Sequence, residues 1–406
     1  MNIRQTTLFI RWCAIAIASL YLLVACGGGG SGTSTPTPMP VSADPIQFHC
    51  AKDASCPEVL VEGDLFASLG AGPAPFRGYG DPSLEYDPAT NELWMTYSWL
   101  DVLITDPGPP AVINFGVRTH LARSTDGGSS FQFERDVNDV QAVSHPDTGV
   151  MGWLIHEVST LVKQPDGLWQ VLWLQYFDPL GSTISDRGDF QYNRSIDSEP
   201  GLLGMNSEPW ARGPTTSTSF GAPLNLSDMP ELSDCAVHTE PALFSFDNST
   251  YLATSCLVIE GNQRRTDLER MVLLREKPGG YDFVATLLDS DDAASFNADV
   301  LEQADLSIAR DGEVLLLVTP IVLADDPQHK GCRVFSFADF ATGQLRRDAN
   351  SVPVTRAVIT ADGNGLGPGL CTYDANSNTG VLLVITTVQE NPVDIEFSLR
   401  ATGVHP

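Results

Sequence analysis

Basic residues are scarce in this chain. Lysine and arginine together number 23 against 51 aspartates and glutamates, which leaves a formal net charge of −28 over 406 residues. Phosphate recognition needs clustered Lys and Arg, so nucleic acid is excluded as a natural partner. An acidic surface also disfavours anionic substrates unless arginines gather locally. Neutral sugars, or cations, match it better. Helical periodicity is equally thin. Outside the N-terminus only Ala293 to Ala304 suits a helix, and a short one. No Cys-x-x-Cys pair occurs, which argues against a thiolate zinc site. No Gly-x-Ser-x-Gly elbow occurs, so Ser-His-Asp chemistry has no support. The apolar run at the N-terminus, Trp12 to Val24, is too short for a comfortable membrane span.

That run follows Arg4 and Arg11 and sits where a secretory signal belongs. It ends Leu23-Val24-Ala25-Cys26, which resembles the bacterial lipoprotein signal. The resemblance implies that residues 1–25 are removed and that Cys26, lipidated, becomes the new N-terminus. Gly27 is not an Asp, so an inner-membrane retention signal of the Gram-negative type is absent. The expected location is the bacterial cell envelope, at the outer membrane or cell surface. The lipid would be the only membrane contact. Residues 26–45, rich in Gly, Ser, Thr and Pro, read as a disordered tether with nothing to bury. Residues 46–406 then form the folded domain, expected as a monomer. Six further cysteines fall in or beside it: Cys50, Cys56, Cys235, Cys256, Cys332 and Cys371. An even number in an exported chain predicts disulfides. The expected pairing is Cys50–Cys56 as a local loop, Cys235–Cys256 within one sheet, and Cys332–Cys371 between adjacent sheets.

Between these cysteines one unit recurs. It begins with RGYGDPSLEYDPATNELWMTYSWL, from Arg77 to Leu100. Ser83 to Tyr86 reads as a short strand and Asp87 to Glu92 as a turn. Leu93 to Leu100 is a longer aromatic strand, Val117 to Arg123 a third and Phe131 to Glu134 a fourth. The short-strand, turn, apolar-strand pattern returns at His156–Phe177, Glu240–Ile259, Asp305–Leu323 and Gly367–Val388. Arg270 to Arg275 and Tyr281 to Leu287 complete the third unit. Cys332 to Phe337 and Leu345 to Arg347 are expected to complete the fourth. Asp178 to Ser233, with Trp210, reads as the outer part of the second sheet carrying a long insertion. The last unit has Ile395 to Thr402 as its third strand and no fourth. A four-stranded sheet cannot bury both faces alone and needs neighbours of its own kind. The expected fold is all-β: a five-bladed propeller of four-stranded antiparallel blades. The spare segment Glu58 to Leu65 would join the last sheet and close the ring.

Ser124-Thr125-Asp126-Gly127-Gly128-Ser129-Ser130-Phe131 matches S/T-x-D-x-G-x-x-F/W, the Asp-box. It resembles the turn between the third and fourth strands of sialidase-type propeller blades, and it falls at that place here. Its role is structural. Asp126 accepts backbone N–H groups, Gly128 supplies a backbone angle that other residues avoid, and Phe131 packs on the sheet.

Residues at the starts of innermost propeller strands converge on the central channel. Four entrances carry acids here, Asp81, Glu157, Glu240 and Asp305, and Gly367 takes the fifth place. Asp81-Pro82-Ser83-Leu84 and Thr239-Glu240-Pro241-Ala242-Leu243 are similar to entrance motifs of the five-bladed arabinanase- and xylosidase-like glycosidases. The resemblance implies Asp81 as general base, Glu157 as the acid that tunes or orients, and Glu240 as general acid. Glu157 stands one residue out of that register, behind His156. Glycoside hydrolysis needs one protonated and one ionised carboxyl across the bond. Crowded acids separate in proton affinity. His156 and His238 adjoin two of the acids, so imidazole and carboxylate together are candidate metal ligands. Oxygen-bound Ca2+ or another divalent ion is a second candidate occupant of the channel mouth. Tyr79 and Trp153 are the candidate sugar-stacking faces. The tryptophans on second strands are expected to pack between blades. Arg77 is similar to the first of three arginines with which sialidases clamp a carboxylate. No Arg stands at the third, fourth or fifth entrance, so a sialidase is the weaker reading. Two functions stay open: a hydrolase of a neutral glycan, and a non-catalytic propeller that binds glycan or protein at the same mouth.

Overall fold

A computed structural model describes residues 44–51, 56–64, 77–106, 112–181, 187–261, 263–323, 328–363, 366–388 and 395–406. The signal segment, Cys26 and nearly all of the tether lie outside the described residues. All described residues fall in one compact unit, Ser42–Pro406.

The chain is nearly all β. The first antiparallel meander runs through Arg77–Asp87, Glu92–Asp106, Val112–Ser124 and Phe131–Asp136. The second runs through Met151–Lys163, Trp169–Pro179, Gly188–Asp197 and Ser207–Arg212. The third is Val237–Phe246, Ser249–Leu257, Arg270–Lys277 and Gly280–Asp289. The fourth is Val300–Ile308, Val314–Val322, Cys332–Asp339 and Thr355–Ala361. Gly369–Thr372, Leu382–Val388 and Ile395–Ala401 form the last. The opening strands of the meanders pack on one another in chain order, and the last packs back on the first.

Second strands such as WQVLWLQYFDP and VLLLVTPIV are buried on both faces, which is why they read as continuous apolar runs. Trp94 and Leu121 of the first meander meet Leu161, Trp169 and Trp173 of the second. Leu315, Leu317 and Val334 meet Val381 and Leu383 across the fourth and last. Each fully buried side chain of this size contributes roughly 2–3 kcal/mol. The tryptophans of the second strands do pack between neighbouring sheets, as expected.

Four boundaries depart from the sequence reading. The fourth strand of the fourth meander is Thr355–Ala361, whose Ala357 and Ile359 are buried, and not Leu345 to Arg347. Arg347 turns aside to bond Asp292 at 2.6 and 2.8 Å, and Gln344–Leu345 makes only a two-residue pairing. The helix is Ser290–Ser295, earlier than Ala293 to Ala304. Asp289 caps it, accepting from Asp292 N at 3.1 Å, and extended chain resumes at Val300. Ile46–Cys50, placed at the head of the domain, adds a parallel outer strand to Thr355–Ala361. Of Glu58 to Leu65, whose last residue lies outside the described residues, the described part reaches the last meander at its beginning. Val59 N bonds Leu399 O at 3.0 Å and Ala401 N bonds Pro57 O at 2.9 Å. Val61–Glu62 then pairs in parallel with Phe131–Gln132.

The three disulfides pair as expected: Cys50–Cys56, Cys235–Cys256 and Cys332–Cys371. The turn from Ser124 to Phe131 is closed by its own side chains. Ser130 N donates to Asp126 Oδ1 at 3.1 Å, Gly128 N donates to Ser124 Oγ at 2.8 Å, and Phe131 is fully buried. Gly127, at φ 73°, has a further reason to be glycine: a Cβ there would stand 2.3 Å from Asn378 Nδ2. The turn docks on the last meander, with Asn378 N donating to Gly127 O at 2.8 Å.

Candidate active site

Every innermost strand carries a bulge at the same place. The pairing slips between Gly80 and Ser83, Glu157 and Thr160, Thr239 and Ala242, Glu302 and Asp305, and Gly369 and Cys371. The residue entering each bulge is left-handed: Asp81 at φ 45°, Val158 at 51°, Glu240 at 54°, Gln303 at 60° and Leu370 at 55°. None is glycine. A β-branched residue such as Val158 adopts this angle only when the surrounding structure imposes it. A bulge bends the strand and re-aims its side chains. Asp81, Ser159, Glu240, Gln303 and Leu370 thereby line one axial cavity of about 20 Å³, and Ser83, Thr160 and Asp305 of the next layer also border it.

This register corrects the expected ring of acids. Asp81 and Glu240 hold equivalent places. Glu157 precedes the left-handed residue of its strand by one, and Glu302, which the sequence reading missed, precedes Gln303 likewise. Asp305 lies two residues beyond Gln303, in the layer of Ser83, Thr160, Ala242 and Thr372. That layer is structural. Ser83 Oγ accepts from Leu161 N at 3.2 Å, Thr160 Oγ1 from Leu243 N at 2.8 Å, Asp305 Oδ2 from Tyr373 N at 3.2 Å, and Thr372 Oγ1 from Leu84 N at 3.2 Å. Each side chain accepts from the next inner strand, and the last reaches the first. Ala242 alone has no acceptor to give. The Leu306 amide that would have used it bonds the side chain of Asp305 instead. The sequence did hold a marker for this register. A leucine falls three residues after the bulge in four of the strands: Leu84, Leu161, Leu243 and Leu306.

Asp81 and Glu240 line the cavity, and Glu157, outside its lining, bears on both by charge; these three acids differ in proton affinity. Burial pushes Asp81 up to about 6, opposed by hydrogen bonds from Ser98 and the Val158 amide. Burial pushes Glu157 up to about 7, with Arg187 opposing and Asp81 adding to the rise. The Tyr176 hydroxyl donates to Glu157 Oε2 at 3.3 Å, and the Arg187 guanidinium lies 5.0 Å from the Tyr176 ring centre. Glu240 is raised well above the usual carboxyl range by burial first, then by Asp81, Glu302 and Glu157, with Arg264 opposing. Its Oε2 is buried without a partner. Asp81 therefore ionises before Glu240, which separates one base from one acid in a single cavity.

The remaining expected residues lie elsewhere. His156 is buried and accepts the Trp173 indole N–H at 3.0 Å, and His238 sits 3.2 Å from Ser227 Oγ. Burial holds both imidazoles down, to about 4 and about 3. Tyr79 is a core residue, its ring 5.3 Å from Tyr97 and 5.2 Å from Trp99. Trp153 is half-buried against the core between the second and third meanders. Trp210 is half-buried under the Arg194 guanidinium, at 3.2 Å from its ring centre. Arg77 opens its strand, in backbone register with Glu396. Imidazole thus plays no part at the cavity. Among the described residues the grouping at metal-ligand spacing is Asp234, Cys235 and Cys256, but its sulfurs already form a disulfide. At the cavity itself Ser159 Oγ, Gln303 Oε1 and Glu240 Oε2 are buried oxygens without partners. Such an all-oxygen set suits a hard cation such as Ca2+. A larger cavity, about 270 Å³, lies further along the inner strands and is lined by Glu85, Phe244, Ser307 and Asp374.

No family model and no curated protein matches the sequence. Among solved structures the neighbours include family 43 glycoside hydrolases. The native arabinanase of Bacillus subtilis is 13% identical, over 80% of this chain and 96% of that one, at a TM-score of 0.42. A family 43 enzyme from Xanthomonas citri is 12% identical, over 81% and 88%, at 0.45. A protein of unknown function from Dyadobacter fermentans is 13% identical, over 86% and 98%, at 0.43. Likeness at this level decides neither substrate nor mechanism.

Proposed function

We propose that the chain is a glycoside hydrolase acting on a neutral glycan, built as a five-bladed propeller. Pro57–Val59 would supply the missing outer strand of the last blade. Asp81 would act as general base, Glu240 as general acid, and Glu157 would orient or tune them. The observation that carries this reading is the convergence of Asp81, Glu157 and Glu240 from three successive inner strands. Of these, Glu240 keeps its proton to higher pH than Asp81. The chain would be exported and tethered to the cell envelope through lipid on Cys26. A sialidase is not proposed, because Arg187 and Arg264 face carboxylates of the chain itself.

A second reading has its own support. The axial cavity, at about 20 Å³, is too small for a sugar ring, which favours a rim that binds glycan or protein without cleaving it. Turnover of a panel of neutral aryl-glycosides, arabinosides and xylosides among them, separates the two. The hydrolase predicts release of the aryl group by wild type and its loss in Glu240→Gln. Equal rates in both would remove Glu240 from the mechanism, and no release with measurable oligosaccharide binding would favour the binding module.

A further inference from the structure

Glu302 occupies on the fourth inner strand the place that Glu157 holds on the second, and it bears on Glu240 from the neighbouring strand. It is engaged by a cation from elsewhere. Arg264, on the short hairpin Ile259–Glu260 with Gln263–Arg264, bonds Glu269 through Nε at 2.5 Å and through Nη2 at 2.7 Å. The same Nη2 bonds Glu302. The charged groups that bear on Glu240 are Asp81 and Glu157 from the first and second inner strands, Glu302 from the fourth, and Arg264 from the hairpin. The Tyr192 hydroxyl lies near as well. Arg264 is the cation of that set. Glu240 nonetheless has a buried oxygen with no partner, and no ion pair joins it to Arg264.

A carboxyl paired with a guanidinium is held ionised, and an ionised Glu240 could not protonate a leaving group. We propose that Glu302 is a positioning residue which, together with Glu269, keeps Arg264 engaged and so prevents it from becoming the ion-pair partner of Glu240. This rests on Glu240 being the general acid.

The test is the titration of the Glu240 carboxyl in the full chain, followed by NMR of 13C-labelled glutamate. Wild type is compared with Glu302→Gln, Arg264→Met and the double variant. Glu302→Gln is expected to lower the Glu240 midpoint by about one pH unit or more, because the like charge of Glu302 is removed and the Arg264 guanidinium is left less fully engaged. Adding Arg264→Met is expected to reverse that fall. An unchanged or raised midpoint in Glu302→Gln overturns the proposal, as does a double variant that keeps the lowered value. Arg264→Met alone carries the test should Glu302→Gln not fold: the midpoint should hold or rise, and a fall overturns the proposal. In the active enzyme the alkaline limb of kcat/KM should move down in Glu302→Gln and return in the double variant, a rescue that simple loss of packing would not give. The titration needs no turnover. A wild type that cleaves nothing while the shift and its reversal appear would sink the hydrolase reading and leave the arrangement of Glu302 and Arg264 standing.

Discussion

Two layers of the inner strands, two residues apart, use their side chains in opposite ways. In the upper layer Glu240 and Gln303 keep oxygens buried and without partners. In the lower layer Ser83, Thr160, Asp305 and Thr372 each accept a backbone amide from the neighbouring strand. Glu240 and Asp305 are both carboxyls at the axis, and both hold their protons more tightly than usual because they are buried. One is spare and the other is committed to holding two strands together. Residue type does not separate a candidate catalytic acid from a structural one here. Register does.

The largest expected effect sharpens that contrast. Glu240→Gln should lower turnover by about 10²-fold or more while leaving the melting temperature close to wild type. A rate change with an equal loss of stability would place Glu240 among the structural residues. Asp305→Ala should do the reverse. It strips an acceptor from the Tyr373 amide, costing about 1–3 kcal/mol in denaturant unfolding, with kcat nearly unchanged. Asp305→Asn keeps an acceptor oxygen and should recover most of the loss.

The pH dependence of stability tests both layers together. Asp81, Glu157 and Asp305 are raised to about 6, 7 and 7, and Glu85, beside the second cavity, to about 8. A carboxyl raised on folding binds its proton more tightly in the native state. Its contribution is therefore full below the ordinary carboxyl range and is lost as pH rises through the folded value. Melting temperature should fall between about pH 5 and pH 8, and the Asp305→Asn variant should fall less steeply. A flat profile would show that these groups are solvated. For turnover, Asp81 must be ionised and Glu240 protonated, so the acid limb should lie near pH 6, where Asp81 titrates. The smallest expected effect is that of Ala242→Ser. Restoring the missing hydroxyl should change stability by only about 0.5 kcal/mol, because Asp305 already accepts from the Leu306 amide.

Much of this molecule was legible before any coordinates. The Asp, Asn and Gly turns, the apolar second strands and the turn from Ser124 to Phe131 delimit the meanders, because each rests on local backbone chemistry. The even set of cysteines paired as their positions suggested. Strand entrances were legible only to within one or two residues. Aligning the entrance acids by type placed Asp305 in one layer with Glu240, whereas aligning the leucines three residues past the bulge would have put them in different layers. His156, His238 and Tyr79 misled for a related reason. His156, next to Glu157, lies on the other face of its strand. His238 and Tyr79 stand two residues before Glu240 and Asp81, whose left-handed backbone breaks the alternation and parts the acids from them.

The sequence by itself determined the strands, the turns between them and the acidity of the chain, since each follows from residues within a few positions of one another. Only the tertiary structure decided which acids meet. The bulge that re-aims Asp81 and Glu240, and the Arg264 that reaches Glu302 from a separate hairpin, depend on contacts between residues far apart in the chain. Proton affinity in a shared cavity is set by those distant neighbours and not by the order of the residues.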